Sequence, residues 1–225
     1  MVSILSIDGG GIRGIIPALF LVEIERRTGK PISELFDLVA GTSTGGLLAC
    51  ALMVPDAQGK PKHTAREIYA AYLEHGGAIF HRGALRKAAT LGGLAATKYS
   101  PRPLERWLSE YLGDARLHET LKDILVTAYD MASSTPWFFK TTFAKTHRSE
   151  EDDPLLAQAA YATAAAPTYF PPLALGSLCL VDGGVFASNP AMCAYAEARK
   201  LYPHERDFLL VSCWVDEQRR LWGEP

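Results

Sequence analysis

Three times along this chain a short apolar run stops at a cluster of glycines that carries one reactive or charged side chain. Ser3-Ile4-Leu5-Ser6-Ile7 leads into Asp8-Gly9-Gly10-Gly11, residues 35–40 lead into Gly41-Thr42-Ser43-Thr44-Gly45, and residues 178–181 lead into Asp182-Gly183-Gly184. A helix-forming segment follows each turn. Strands alternating with helices build a mainly parallel central sheet covered by helices on both faces, an α/β three-layer sandwich. In such sheets the turns lie at the carboxyl ends of the strands, where ligands bind. The 225 residues suffice for one such domain at roughly 150 residues per domain.

The remaining elements follow from local signals. Pro17 opens a helix where its missing N–H costs nothing, with Ala18, Leu19, Val22 and Ile24 facing inward, and Gly29 stops it near Arg27. The segment 46–54 reads as a helix so apolar that it must be buried on nearly all sides, ended by Pro55. Thr64 caps the next helix with Glu67 three residues on, and that helix ends near Gly76-Gly77. Residues 103–112 form an amphipathic helix, and 124–128 and 137–143 read as strands. Glu150-Glu151-Asp152-Asp153 is expected to be a solvated acidic turn ahead of a helix starting at Pro154. Pro190 opens a helix to about Leu201, and 208–211 is a last strand. The glycine-rich, basic and apolar stretch 80–98 reads as a flap that meets a membrane or as an ordinary surface helix and loop.

Composition removes several functions. With 23 Lys+Arg against 25 Asp+Glu, the chain carries neither a nucleic-acid footprint nor a polybasic membrane anchor. Cys50, Cys179, Cys193 and Cys213 contain no C-x-x-C pair, so they read as buried reduced thiols, with no metal site and no disulfide framework. The first seven residues lack the basic start of a signal peptide, and Asp8 interrupts them. The uncharged run 154–181 is broken by Pro167, Pro171, Pro172 and Gly176, which makes it core and pocket wall rather than a membrane span. The expectation is a cytoplasmic chain with at most peripheral membrane contact.

The chemistry concentrates in the three turns. Gly41-Thr42-Ser43-Thr44-Gly45 fits G-x-S-x-G, in which flanking glycines allow a sharp strand-to-helix turn that exposes the serine hydroxyl. The alternative for Ser43 is a plain helix N-cap. Gly9, Gly11 and Gly14 fit G-x-G-x-x-G, yet the acid that should grip a ribose has no clean candidate, since Glu34 precedes its strand. Consecutive glycines also present bare N–H groups to an anion, and beside a nucleophilic serine that anion is the oxyanion of a tetrahedral intermediate. Arg13 either adds a fixed charge there or makes a structural ion pair. Asp182 can accept the serine proton as a base, or close an Asx turn. Ser43, Asp182 and His204 also satisfy the Ser–Asp–His order of a triad, although His204 sits in a polar loop that suits a surface histidine.

With the three turns in one chain and in this order, the sequence resembles the patatin-like phospholipases. Asp8 to Gly14 looks like the family's glycine-rich oxyanion motif, Gly41 to Gly45 like its nucleophile elbow, and Asp182-Gly183-Gly184 like its Asp-Gly-Gly motif. Ala164-Ala165-Ala166-Pro167-Thr168-Tyr169-Phe170-Pro171 and Ala187-Ser188-Asn189-Pro190 are similar to the family as well. The resemblance implies a Ser–Asp dyad without metal or other cofactor, with Ser43 as nucleophile and Asp182 as base. It implies an oxyanion site lined by Gly9, Gly10, Gly11 and Arg13, and lipid acyl esters as substrates. It spans roughly 3–212, giving a patatin-like domain over 1–212 and a divergent tail over 213–225, expected to be truncated or frameshifted. Two other readings stand beside the lipid acyl hydrolase: a Ser43–Asp182–His204 esterase on small esters, and a catalytically silent binding module.

Overall fold

The computed structural model describes residues 1–79 and 97–215. The order of elements is β1 (Val2–Ile7), α1 (Ile15–Thr28), α2 (Ile32–Leu35), β2 (Leu38–Gly41), α3 (Thr44–Met53), α4 (Ala65–Ile79), α5 (Arg102–Leu112), β3 (Asp123–Asp130), β4 (Thr135–Lys140), α6 (Thr141–Thr146), α7 (Leu156–Ala164), β5 (Leu173–Leu175), β6 (Leu178–Asp182), α8 (Ala191–Leu201) and β7 (Phe208–Cys213). The flap expected over 80–98 lies outside the described residues except for Thr97 and Lys98.

One sheet runs β5-β6-β3-β2-β1-β7, with β4 added on β3. The strands β7, β1, β2 and β3 are mutually parallel, and β4, β5 and β6 join antiparallel. Side chains alternate between two cores, as the two-residue period of a strand requires. Leu5, Ile7, Val39, Ile124 and Val126 join the larger core with α1, α3, α4, α5 and α7, whereas Val2, Ile4, Leu38, Ala40 and Leu125 pack with Ala194 and Ala198 of α8. The sheet is therefore the middle of three layers, as the alternation of strands and helices predicts. All ten residues of α3 are buried, which fits a helix that apolar lying directly on the sheet.

The topology at β3 positions the site. β4 occupies one edge of β3 along residues 125–130. β2 pairs with 123–126 and β6 with 128–130, so these two share the opposite edge. β2 runs parallel to β3 and β6 antiparallel, so their carboxyl ends point at each other across Thr127. Gly41 pairs with Val126, and Asp182 pairs with Ala128.

Several expectations need correction. α1 begins at Ile15, not Pro17, and Leu19 is exposed while Leu21 is buried, because α1 presents a different face to α4. Leu35 ends the short helix α2 rather than opening a strand, and β2 starts at Leu38. The helix from Thr64 continues past Gly76-Gly77 to Ile79, although Thr64 and Glu67 do form the capping box. Phe143 lies in α6, not in a strand. Asp153 is not solvated: it is buried, accepts from the His118 backbone N–H at 3.0 Å, and contacts the His118 ring at 2.7 Å and Arg148 at 3.2 Å. That helix, α7, begins at Leu156. The run read as core and pocket wall also holds an unexpected strand, β5, which pairs with the expected β6 in a hairpin turned at Gly176, whose φ is 57°. β7 extends past Ser212, and Cys213 is buried opposite Ile7. The four cysteines are free thiols, with Cys50 and Cys213 buried and Cys179 and Cys193 half-buried.

Asp130 anchors β6 on β3. It is buried and accepts from the backbone N–H of Ala132 (3.1 Å), Ser133 (3.0 Å) and Cys179 (2.9 Å). Burial alone would raise its carboxyl, but these bonds and that of the Ser133 hydroxyl outweigh burial and hold it below its ordinary value. Asp130→Ala leaves the three N–H groups without an acceptor and should destabilise the fold by roughly 3 kcal/mol or more. Urea denaturation would read this as a lower midpoint at unchanged m-value; a midpoint equal to the wild type's would show that β6 is held by other bonds.

Candidate active site

Ser43 stands between β2 and α3 with φ 53° and ψ −124°, a conformation that costs a side-chain-bearing residue on the order of 1–3 kcal/mol. Packing on both sides imposes it. A Cβ on Gly41 would lie 2.2 Å from the Gly45 carbonyl oxygen, and one on Gly45 would lie 2.1 Å from that of Ile7. The glycines of G-x-S-x-G thus serve close backbone approach, and the unusual φ falls on the serine itself. Neighbouring bonds clamp the turn. Thr42 Oγ1 lies 2.7 Å from Thr127 Oγ1 and donates to the Ala187 carbonyl at 2.7 Å, and the Gly45 N–H donates to the Thr42 carbonyl at 2.8 Å. The Ser43 N–H donates to Thr163 Oγ1 at 2.8 Å.

Asp182 closes β6 and is only 5% exposed. Its Oδ1 accepts from the Gly184 N–H at 2.7 Å, so it does form the local turn that Asp-Gly favours. Burial pushes its carboxyl up to about 6, against the opposing pull of hydrogen bonds from the Ser43 side chain and the Gly184 N–H. The two residues singled out from separate turns therefore come together, and the turn and base readings of Asp182 are compatible. A carboxyl near 6 is ionised at neutral pH and still basic enough to take a proton.

The glycine loop lies alongside. Gly9 approaches so closely that a Cβ there would sit 3.2 Å from Ser43 Cβ. Its N–H donates to the Ser188 carbonyl at 2.9 Å, and that of Gly10 donates to Thr44 Oγ1 at 3.2 Å. Gly11 has φ 58°, lines the cavity with Ser43, and its carbonyl accepts from the Tyr72 hydroxyl at 2.7 Å. Among the described residues no acceptor is recorded for the Gly11 N–H. Arg13 turns its Nε towards the Gly10 carbonyl at 3.5 Å, bracing the loop. Gly14 is buried, and a Cβ there would lie 2.8 Å from the Tyr72 hydroxyl. Gly183 packs on Thr127, where a Cβ would lie 2.1 Å from Oγ1.

A cavity of about 330 Å³ opens at Ser43, Thr44, Gly11 and Ile12, with walls of Leu47, Tyr99, Leu104, Ala164, Ala166, Tyr169 and Phe170. Its lining is almost wholly apolar, suited to a hydrocarbon group, and Ser43 stands in its wall. The aromatic wall joins Tyr99 to Tyr169 (ring centroids 5.7 Å apart) and Phe170 (5.6 Å), and Lys98 Nζ lies 4.3 Å from the Tyr169 ring. The expectation of a pocket wall within 154–181 holds for Ala164, Ala166, Tyr169 and Phe170, whereas Tyr99 and Leu104, which reach the cavity only by tertiary packing, carried no sequence signal. His204 stays exposed in the turn before β7, at the amino end of the parallel strands, where the Asp207 carbonyl accepts from the Val2 N–H. Ser43 is at the carboxyl end, about 20 Å away along six residues of β7; the triad with His204 is not assembled. Among the described residues, no group of three or more His, Cys, Asp or Glu is arranged so that it could hold a metal ion. Among them, too, no helix is long and apolar enough to cross a membrane.

The family model and the curated relatives agree with each other. The family model described as "Patatin-like phospholipase" matches residues 5–195. "Patatin-like protein 2" of Oryza sativa subsp. indica is 38% identical over 89% of this chain and 53% of its own length. "Patatin-T5" of Solanum tuberosum is 36% identical over 89% of this chain and 54% of its own, and "Probable inactive patatin-3-Kuras 1" from the same species is 34% identical over 94% and 58%. The chain thus spans about half the length of the curated relatives it matches. Among solved structures, VipD from Legionella pneumophila aligns over 98% of this chain and 52% of its own, with a TM-score of 0.46 and 13% identity.

The strain at Ser43 is open to measurement. Ser43→Gly should be more stable than Ser43→Ala by about 1 kcal/mol, since glycine relieves the positive φ and alanine keeps it. Paired urea titrations measure the difference; an alanine variant as stable as the glycine variant would mean that the elbow carries no strain.

Proposed function

The chain belongs to the patatin-like phospholipase family, and from that premise we propose that it is a lipid acyl hydrolase acting through an acyl-Ser43 intermediate. What carries the reading is the strained Ser43 facing a buried carboxyl held near 6 at the end of an apolar cavity. Substrate enters with its acyl chain in the cavity and its ester carbonyl at Ser43. The Ser43 hydroxyl attacks the carbonyl carbon while Asp182 takes its proton. The oxyanion that forms meets the Gly11 N–H, joined by that of Gly10 when it leaves Thr44. Gly9 and Arg13 hold the loop in shape. Collapse breaks the ester bond, and Asp182 returns the proton to the departing alcohol. A water then attacks the acyl-serine, again giving its proton to Asp182, which passes it to Ser43 Oγ as the acyl–oxygen bond breaks, so that the fatty acid leaves and the Ser43 hydroxyl and Asp182 carboxylate are restored.

No metal or other cofactor enters these steps. The substrate class is an acyl ester of a glycerolipid, met by transient contact with a lipid surface. The cavity's apolar lining favours a lipid over a small soluble ester, and the distance of His204 favours a dyad.

A fluorophosphonate probe tests the reading directly. The wild type should label stoichiometrically, Ser43→Ala not at all, and Asp182→Asn at a rate lower by at least about 10²-fold. A folded wild type that stays unlabelled would overturn the proposal in favour of a silent binding module, a reading kept open by a relative whose name marks it as a probable inactive patatin. A second outcome concerns pH. The proton acceptor is the carboxylate, so kcat/KM for a short-chain nitrophenyl ester should rise with pH through a midpoint of about 6 and level off above it. A profile flat between pH 5 and pH 7 would show that the proton acceptor does not titrate near 6 (roughly one unit on either side of the midpoint).

A further inference from the structure

The run Ala164-Ala165-Ala166-Pro167, similar to the family yet given no task by the mechanism above, begins where α7 ends. Two bonds from this segment reach both reacting residues. Thr163 Oγ1 accepts the Ser43 N–H at 2.8 Å, and the Ala165 carbonyl accepts the Asp182 N–H at 3.1 Å. Ser43 precedes the first turn of α3, and its N–H has no partner within that helix. Thr163 is fully buried, so without its oxygen the Ser43 N–H would be an orphan donor. The approach is close: a Cβ on Gly46 of α3 would lie 2.6 Å from Thr163 Cγ2. Glycine at 46 is what lets α7 come near enough for this bond. Ala164 and Ala166 of the same segment line the cavity.

We propose that Thr163 is a positioning residue, and that residues 163–165 act as one rigid gauge setting the separation of Ser43 from Asp182. Two residues of a single helix end span the gap, so the nucleophile and the base cannot drift apart unless the end of α7 moves. The inference rests on the reading of Ser43 and Asp182 as the reacting pair.

The test compares Thr163→Val, which keeps the shape and removes the acceptor, with Thr163→Ser, which keeps the acceptor and removes the methyl. On a short-chain nitrophenyl ester, Thr163→Val should lose about 10²-fold in kcat at nearly unchanged KM, the scale expected when a reacting group is displaced by a fraction of its ideal geometry. Thr163→Ser should stay within about threefold of the wild type, a smaller loss that reflects its intact acceptor. The acidic limb supplies a second readout. Contact with Ser43 lowers the Asp182 carboxyl, so loosening the pair should move the limb of Thr163→Val to higher pH. Wild-type kcat and limb in Thr163→Val would overturn the proposal, as would a serine variant no better than valine. If Thr163→Val does not fold, Thr163→Ser against Thr163→Ala decides by the same ratio. Fluorophosphonate labelling separates the two levels: an unlabelled wild type removes the dyad itself, whereas a labelled wild type with an equally fast Thr163→Val removes only the gauge.

Discussion

One edge of β3 has to serve two strands. Because β4 takes the other edge, β2 and β6 must dock end to end along residues 123–130, one parallel and one antiparallel. Their carboxyl ends then meet over Thr127, whose hydroxyl bonds Thr42 of one turn and whose side chain packs against Gly183 of the other. A strand pair fixes its partners to a fraction of an ångström through backbone hydrogen bonds, far better than loops can. The meeting of Ser43 with Asp182 is thus a consequence of sheet register, and the surrounding bonds refine it.

The site concentrates its costs at this junction. Ser43 holds an unfavourable backbone conformation, Asp182 holds a carboxyl that burial drives towards its neutral form, and Asp8 keeps a buried Oδ1 that finds no partner among the described residues. Each would relax in a freer chain. They persist because α3 is buried along its whole length and because α7 grips it through the contact of Gly46 with Thr163. A packed core has few alternative arrangements, so it can hold strained groups that a loop would release.

What could be read in advance was what local chemistry decides. The capping box of Thr64 and Glu67, the stop at Gly29 with φ 67°, and the buried α3 each depend on residues within a turn or two. The candidate site residues were legible for a similar reason: glycine beside a reactive side chain after an apolar run is a short-range pattern. Less legible were the facing of α1, where Leu21 rather than Leu19 is buried, and the burial of Asp153, because both depend on partners far away in the chain. The strand of residues 178–181 was legible as β6, but its hairpin partner β5 hid in an uncharged run whose periodicity is as consistent with core as with strand.

The sequence by itself determined the alternation of strand, glycine turn and helix, and with it the layered α/β sheet and the three turns that hold the candidate site residues. Periodicity and glycine placement are written residue by residue and act over a few positions. Only the tertiary structure decided that Ser43 and Asp182 face each other, that His204 lies at the far end of the strands, and that Tyr99, Leu104 and Phe170 close one cavity. Those relations join segments far apart in the chain, and strand order and helix packing, which no local pattern encodes, bring them together.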